Sequence, residues 1–360
     1  MPTVDRLHDI LHSGFIGQGK YVNEFETKFA EKFSINKNNI LSVNSCTSAI
    51  QLALDLCDLK KGDKIATTPY TCLATNSDIL RRDLDLIWYD IDKKTGLANY
   101  EEIKKILTPE VKIVIITHLS GTITRDFDLI IEECHKRDIV VIEDAAQSLG
   151  SKYNGNYIHP LSDYVCFSFQ AIKHLTTIDG GMLYSNDSDK ICRGKKLRWF
   201  GFDRELSSDF RCKQNINELG RKIHMTDLNA YIGIESLKII DSIINKHKNN
   251  AKIYESLLKD IKEIEICHGA KSDSSFWVYP ILVKNNRNEL KDFLEEKHIH
   301  TSLIQNRLDD KTCFKKYHKN LLNLEYFINK ILHIPCGWWI SETDIEFIVD
   351  NIRLFFDNKK

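Results

Sequence analysis

The chain has 360 residues, and its 50 Lys+Arg against 51 Asp+Glu give a formal net charge of −1, so no bulk field recommends nucleic acid or an anionic membrane as partner. A composition of 42% hydrophobic and 28% charged residues with only 6 Pro and 16 Gly excludes disorder and collagen, and suits large buried cores in roughly two domains. The start, MPTVDRLHDI, lacks the apolar core of a signal peptide, and no run approaches the ~18 apolar residues of a membrane span, so a cytoplasmic protein is expected. Ten cysteines without one C-x-x-C pair read as reduced thiols in small apolar sites. The histidines form neither an H-x-x-x-H nor an H-E-x-x-H pattern, and no metal site is expected.

In chain order, Gly14, Gly17 and Gly19 follow no strand, so they read as turns in a loop near an active-site mouth rather than as a dinucleotide fingerprint. The run ILSV (40 to 43) is a first strand. Ser45 then N-caps a helix whose Ala49, Ile50, Ala53 and Leu54 form one apolar stripe, ending before Lys61-Gly62. Further strands are expected at KIATT (64 to 68), LIWYD (86 to 90), VKIVIIT (111 to 117), DIVVIED (138 to 144) and YVCFS (164 to 168), with helical patterns between them. Near-continuous apolar strands imply a sheet covered on both faces, so the expected class is α/β, with a mostly parallel mixed sheet under helices over residues 1–240. Met225 to Leu258 reads as one helical segment linking two domains. Residues 241–360 then read as a smaller α+β domain: a strand FWVYPILV (276 to 283), a helix NELKDFLEEK (288 to 297), a short strand at 300 to 304 and a final helix SETDIEFIVDNIRLFF (341 to 356).

In a parallel sheet, ligands sit beyond the carboxyl ends of the strands. One strand ends in Glu143-Asp144, followed by Ala145-Ala146-Gln147, and the next ends in Phe167-Ser168, with Lys173 between it and a Gly180-Gly181 turn. Alone, Asp144 reads as a helix cap and Lys173 as solvated charge. Together with the helix entry Ser45-Cys46-Thr47-Ser48 they form the set that pyridoxal phosphate chemistry needs. Lys173 would supply the Schiff-base amine, Asp144 an anion facing the pyridinium nitrogen, and Ala146 a thin neighbour for one ring face. The helix N-terminus at Cys46, Thr47 and Ser48, with the Ser168 hydroxyl, would supply donors for a phosphate.

At this point the chain resembles the DegT/DnrJ class of sugar aminotransferases, which are fold type I pyridoxal phosphate enzymes. The segments that carry the resemblance are SGFIGQGKYVNEFE (13 to 26), VNSCTSAIQLAL (43 to 54), TPYTCLATNSDIL (68 to 80), YDIDKKTGLAN (89 to 99), HLSGTITRDFD (118 to 128), VVIEDAAQSLG (140 to 150), SFQAIKHLTTIDGGM (168 to 182) and GRKIHMTDLNAYIG (220 to 233). The resemblance implies Lys173 as the Schiff-base lysine, Asp144 as partner of the pyridine nitrogen, Gln147 bonded to the ring hydroxyl, and Ser168 with Thr47 on the phosphate. It further implies a homodimer with shared active sites, in which Lys222 would reach the partner's phosphate from the position where relatives carry Asn.

Several positions depart from the family pattern. Cys46 replaces a glycine before the phosphate-binding Thr47, and Cys72 stands where relatives stack an aromatic ring on the cofactor, with Tyr70 two residues earlier. His224 takes the place of an arginine, SLIQNR (302 to 307) replaces a His-Tyr turn, and IPCGWW (334 to 339) is unusual. Trp338 and Trp339 are pocket, core or interface residues, and Lys195, Lys196, Arg198 and Arg204 are either a substrate-anion site or a solvated helix face. The expected reaction moves an amino group from an amino acid, by resemblance glutamate, to a keto sugar, by resemblance a nucleotide-linked 4-keto-6-deoxyhexose. The alternatives are a sugar dehydratase, whose relatives carry histidine in place of the lysine, and a regulator that binds without turnover.

Overall fold

The structure is a computed structural model and describes residues 6–206, 213–267 and 272–359. After helices α1 (Leu7–His12) and α2 (Lys20–Lys32), the chain lays down β1 (Ile40–Val43), α3 (Cys46–Asp55), β2 (Lys64–Thr67), α4 (Leu73–Arg81), β3 (Asp85–Trp88), α5 (Tyr100–Lys104), β4 (Val111–Thr117), α6 (Phe127–His135) and β5 (Val140–Asp144). A short β6 (Lys152–Tyr153) precedes β7 (Tyr164–Ser168), β8 (Gly181–Ser185) and α7 (Ser188–Leu197). All of these strands but β6 form one seven-stranded sheet in the order β1-β8-β7-β5-β4-β2-β3. The pairs joining β3, β2, β4, β5 and β7 are all parallel, while β8 runs antiparallel to both its neighbours. The sheet is thus mostly parallel and mixed. Strand β8 was not expected from the sequence, where Gly180-Gly181 reads only as a turn.

The buried faces explain the apolar runs. All of Ile113 to Ile116 in β4 are fully buried, because helices pack on both sides of the sheet. Ser45 caps α3 through a bond from Ser48 N, as the sequence suggests, and α3 buries Ala49, Ile50, Ala53 and Leu54. Gly19 permits a long-range cap of α2. Asp227 Oδ1 accepts from Gly19 N at 2.8 Å and Val22 N at 3.0 Å, and a side chain on Gly19 would strike that carboxylate.

The expected single helical segment from Met225 to Leu258 is two helices, Asp227–Leu237 and Ile240–Leu258. Ile239, at φ −115° and ψ 0°, breaks the helical ladder between them, and Ile244 of the second helix then packs against Gly150 with no room for a Cβ there. A second, three-stranded antiparallel sheet joins β9 (Ile264–Ile266), β11 (Tyr279–Val283) and β12 (Ile331–Ile334), while β10 (Ser272–Asp273) pairs with β6. Helices Arg287–Glu296 and Glu342–Asp357 cover it and share a separate apolar cluster with Tyr254, Tyr279, Ile281 and Leu332. The expected strand 276 to 283 therefore begins only at Tyr279, because Phe276 takes a left-handed φ of 48°. Residues 300 to 304 form no strand, only a bridge from Ser302 to His333, because Ile304 turns left-handed at φ 45°. Leu308, Phe314, Leu321, Leu324 and Phe327 turn back to pack in the core of the large sheet. Among the described residues, no helix is long and apolar enough to cross a membrane.

Candidate active site

All strands of the large sheet except β8 point the same way, so Val43, Thr117, Asp144 and Ser168 end on one edge. Strand β8 starts there, with Gly181 opposite both Val43 and Ser168. This edge is where the polar residues meet. Asp144 is buried; its Oδ1 accepts from Ala146 N at 3.1 Å and its Oδ2 from the Thr75 hydroxyl at 2.6 Å. Its field reaches the Lys173 amine, which also feels the thiols of Cys46 and Cys72. Burial pulls Lys173 down to about 8, and the Asp144 carboxylate opposes part of that fall. A lysine so placed holds a substantial share of neutral, nucleophilic amine near neutral pH.

Beside this pair the entry of α3 offers donors. Helix geometry leaves the N–H groups of Cys46 and Thr47 without intrahelical acceptors, while Ser48 N is already held by Ser45 Oγ at 3.1 Å. The Ser48 hydroxyl bonds Asn44 Oδ1 at 2.7 Å, so it braces the turn rather than facing the strand edge. A Cβ on Gly181 would lie 2.6 Å from the Ser45 carbonyl and 2.7 Å from Cys46 N, so only glycine lets β8 press against this helix entry. The buried Ser168 stands at the end of β7, in register with Gly181. Cys46 is buried with its thiol against the Cys166 carbonyl at 3.5 Å, and burial raises that thiol well above its usual range. Gln147 turns its carbonyl oxygen to Ser120 N at 2.8 Å, leaving its amide NH₂ as a donor. These residues fit pyridoxal phosphate: an amine for the aldehyde, an anchored carboxylate for the ring nitrogen, a spare donor for the ring hydroxyl and free N–H groups at a helix N-terminus for the phosphate.

Three further groups join the site without a local sequence signal. Trp277 covers Lys173, whose Nζ lies 3.6 Å from the centroid of the indole, and the Trp277 Nε1–H donates to the Ile172 carbonyl at 2.8 Å. Thr75, Thr71 and Thr117 form a buried hydroxyl row ending on Asp144. His333 donates from Nδ1 to the Ser302 carbonyl at 3.1 Å, and burial pushes it down to about 4, so it is neutral with Nε2 as its acceptor. His333, Gln305, Tyr70 and Gln147 line one small cavity between the two sheets. The loop carrying Lys173 is pinned at its far end by Asn229 Nδ2, which donates to the Thr177 carbonyl at 2.8 Å, and Ile178 there holds a strained left-handed φ of 70°.

The remaining candidates differ in exposure and partners. Tyr70 is buried edge-on against Phe327, and Cys72 is the exposed N-cap residue of α4. Lys222 is exposed and stands 5.6 Å over the Trp199 ring, on a segment bridged to Trp199. Arg198 is no surface cation: it is buried with Glu26 at 2.8 Å and the Ser42 carbonyl at 2.8 Å. Lys195 and Lys196 face Glu205 and Asp203, and Arg204 bonds the Gln18 carbonyl at 3.1 Å. Trp338 and Trp339 are exposed, 5.8 Å apart edge to face. His224 packs 4.1 Å from the Trp199 ring, and burial with nearby cations pushes it down to about 4.

Comparison with known proteins identifies the fold and the family. A crystal structure of AtS13 from Actinomadura melliaura superposes with a TM-score of 0.92 at 32% identity, covering 98% of this chain and 95% of that one. The sugar aminotransferase CalS13 from Micromonospora echinospora gives 0.92 at 27% identity, covering 98% of both chains. GDP-perosamine synthase of Escherichia coli O157:H7 is 27% identical, over 98% of this chain and 95% of its own length. The profile of one family matches residues 2–353, and the chain belongs to it: the DegT/DnrJ/EryC1/StrS aminotransferase family, whose cofactor is pyridoxal 5′-phosphate.

Proposed function

We propose that the chain transfers an amino group from an amino acid, glutamate in the first instance, to a nucleotide-linked keto sugar, and that it acts as a cytoplasmic homodimer. The observation that carries this reading is a half-buried loop lysine, Lys173, under the field of the buried strand-end carboxylate Asp144, beside helix N–H groups without intrahelical acceptors. Pyridoxal phosphate, when bound, supplies an aldehyde that takes up an amino group and a protonated ring that draws electron density from it.

The chain's own residues do the rest. Lys173 would hold the aldehyde and, once displaced by the incoming amine, move a proton at the substrate's Cα, a task suited to an amine titrating at about 8. Asp144, anchored on both oxygens, would keep a proton on the ring nitrogen. Gln147 would donate to the ring hydroxyl, Ala146 would flank one face with a methyl, and Cys72 would lie toward the other. Thr47, Cys46 and Ser168 would hold the phosphate, with Ser48 bracing their turn. Lys222, exposed on its segment, would reach the partner's phosphate. Leu73, Ile172, Ile178 and Phe200 are exposed apolar residues, two of them on the Lys173 loop, and they support burial against a second copy. A nucleotide-linked substrate is supported by a relative named GDP-perosamine synthase and another named UDP-4-amino-4,6-dideoxy-N-acetyl-beta-L-altrosamine transaminase. The division into a large domain at 1–240 and a small one at 241–360 belongs to the same reading. It is supported by the helix start at Ile240 and the separate apolar cluster of the second sheet. The nine cysteines among the described residues are free thiols, in keeping with a reducing compartment.

The test is spectroscopic. Purified protein loaded with pyridoxal phosphate should show a visible band that glutamate bleaches, with one equivalent of 2-oxoglutarate released per site. A panel of nucleotide-linked keto sugars should then restore the band and yield amino sugars. A band that glutamate never bleaches would leave a binding protein, and a deoxygenated sugar product would leave a dehydratase.

A further inference from the structure

The hydroxyls around Asp144 have a direction that can be deduced. Thr75 Oγ1 lies 2.6 Å from Asp144 Oδ2, Thr71 Oγ1 lies 2.9 Å from Thr75 Oγ1, and Thr117 Oγ1 lies 3.0 Å from Thr71 Oγ1. The Thr75 hydroxyl donates to Asp144 Oδ2, so its single proton is spent there. Thr75 must then accept from Thr71, whose proton is spent in turn, and Thr71 must accept from Thr117. All three residues are buried, so bulk water does not compete for these bonds. The row closes an arch: Thr117 ends β4 directly opposite Asp144 in the ladder, while Thr71 and Thr75 come from the start of α4.

We propose that Thr75, Thr71 and Thr117 are positioning residues that hold Asp144 ionised and aimed, through three hydroxyls donating one way along the row. The proposal rests on the assignment of Asp144 to the cofactor's ring nitrogen. Hydrogen bonds to the charged form of a carboxylate favour that form, and a row in which each hydroxyl polarises the next strengthens the terminal bond. With Asp144 kept anionic, a proton shared with a pyridine nitrogen rests on the ring. Among the described residues, the titratable groups that feel the Asp144 charge include Lys173, Cys46, Cys166 and Tyr89, and none of them belongs to the row.

The experiment titrates Asp144 in cofactor-free protein by carboxyl-carbon NMR, with the resonance assigned through Asp144→Asn. Thr75→Val should raise the carboxyl's pKa by about one to two units, the worth of a hydrogen bond to a charged group, while Thr75→Ser should restore it. Thr71→Val should raise it less, and Thr117→Val least. In the loaded enzyme, Thr75→Val should lower kcat by about 10- to 100-fold with KM nearly unchanged. A merely structural role would lower the melting temperature of these variants and leave the titration where it was, and that result would overturn the proposal. So would a fall in the pKa on Thr75→Val, which would mean that Asp144 donates and the row runs backward. Should Thr75→Val fail to fold, Thr71→Val and Thr117→Val, whose hydroxyls bond within the row and not to Asp144, keep the graded titration measurable. Because the titration needs no cofactor, its outcome is independent of whether glutamate bleaches the loaded protein.

Discussion

Two sides of the site are built differently. On the strand-edge side, Asp144, Gln147, Ser168 and the entry of α3 are set by ladder register, and Asp144 and Gln147 are already held by neighbouring donors, Thr75, Ala146 N and Ser120 N. On the opposite side, Trp277, Gln305 and His333 come from loops and strand ends of the C-terminal third, where Gln305 and His333 line a cavity. Register gives accuracy at the cost of freedom, because moving one strand residue flips its neighbours to the other face. Loops change side chains without disturbing a sheet. The rigid side is therefore suited to the common cofactor, and the variable side to whatever sugar this chain accepts. It is also the side where SLIQNR and IPCGWW depart from the family pattern.

The largest effect that contrast predicts is at its centre: Lys173→Ala should cut turnover by at least about 10³-fold, measured as 2-oxoglutarate release, because it removes both the anchor and the proton carrier. Next comes Gly181→Ala, whose new methyl meets backbone and not a yielding side chain. It should cost about 1 to 3 kcal/mol in urea unfolding and loosen cofactor binding. Trp277→Phe keeps an aromatic face but loses the bond to the Ile172 carbonyl, which is worth about 1 kcal/mol. A few-fold slower capture of cofactor by stopped-flow absorbance is expected. If that loss exceeded the effect of Gly181→Ala, the loop side and not the strand edge would be setting the geometry. In the unmodified chain, the capture rate should rise with pH through about 8 and then level off, because the depressed Lys173 must shed its proton before it can attack. Smallest of all, Lys222→Ala should weaken cofactor retention by no more than a few-fold, an effect that salt erases, as expected of an exposed cation.

Most of the rigid side could be read from the sequence, because each element there has a local mark. Apolar runs show parallel strands, their polar last residues show the ligand edge, and Ser45 shows a helix entry. What escaped has no such mark. Strand β8 opens on the second of two glycines, so Gly181 reads as a turn, although its tight approach to Ser45 and Cys46 is what the site requires. Thr71 and Thr75 read as ordinary fillers around a helix start, since the hydroxyls meet Asp144 and Thr117 only when the sheet forms. Trp277 reads as part of an apolar strand. Its contact with Lys173 joins residues more than a hundred positions apart, and no spacing rule reaches that far. At Ser48 the structure adds a partner the sequence does not show, since its hydroxyl donates to Asn44 Oδ1.

Strand β8 also bears on how the molecule comes into being. β1, made near the start of synthesis, has a single neighbour in the sheet, and that neighbour is residues 181 to 185. Until the ribosome has released β8, β1 has no strand beside it in the sheet, and the vitamin's binding cradle is open on one flank. Contacts of such sequence separation form late and slowly. The catalytic pocket is thus a product of the last closure of the sheet, and a chain truncated before β8 would retain Asp144 and its threonines while never enclosing the phosphate.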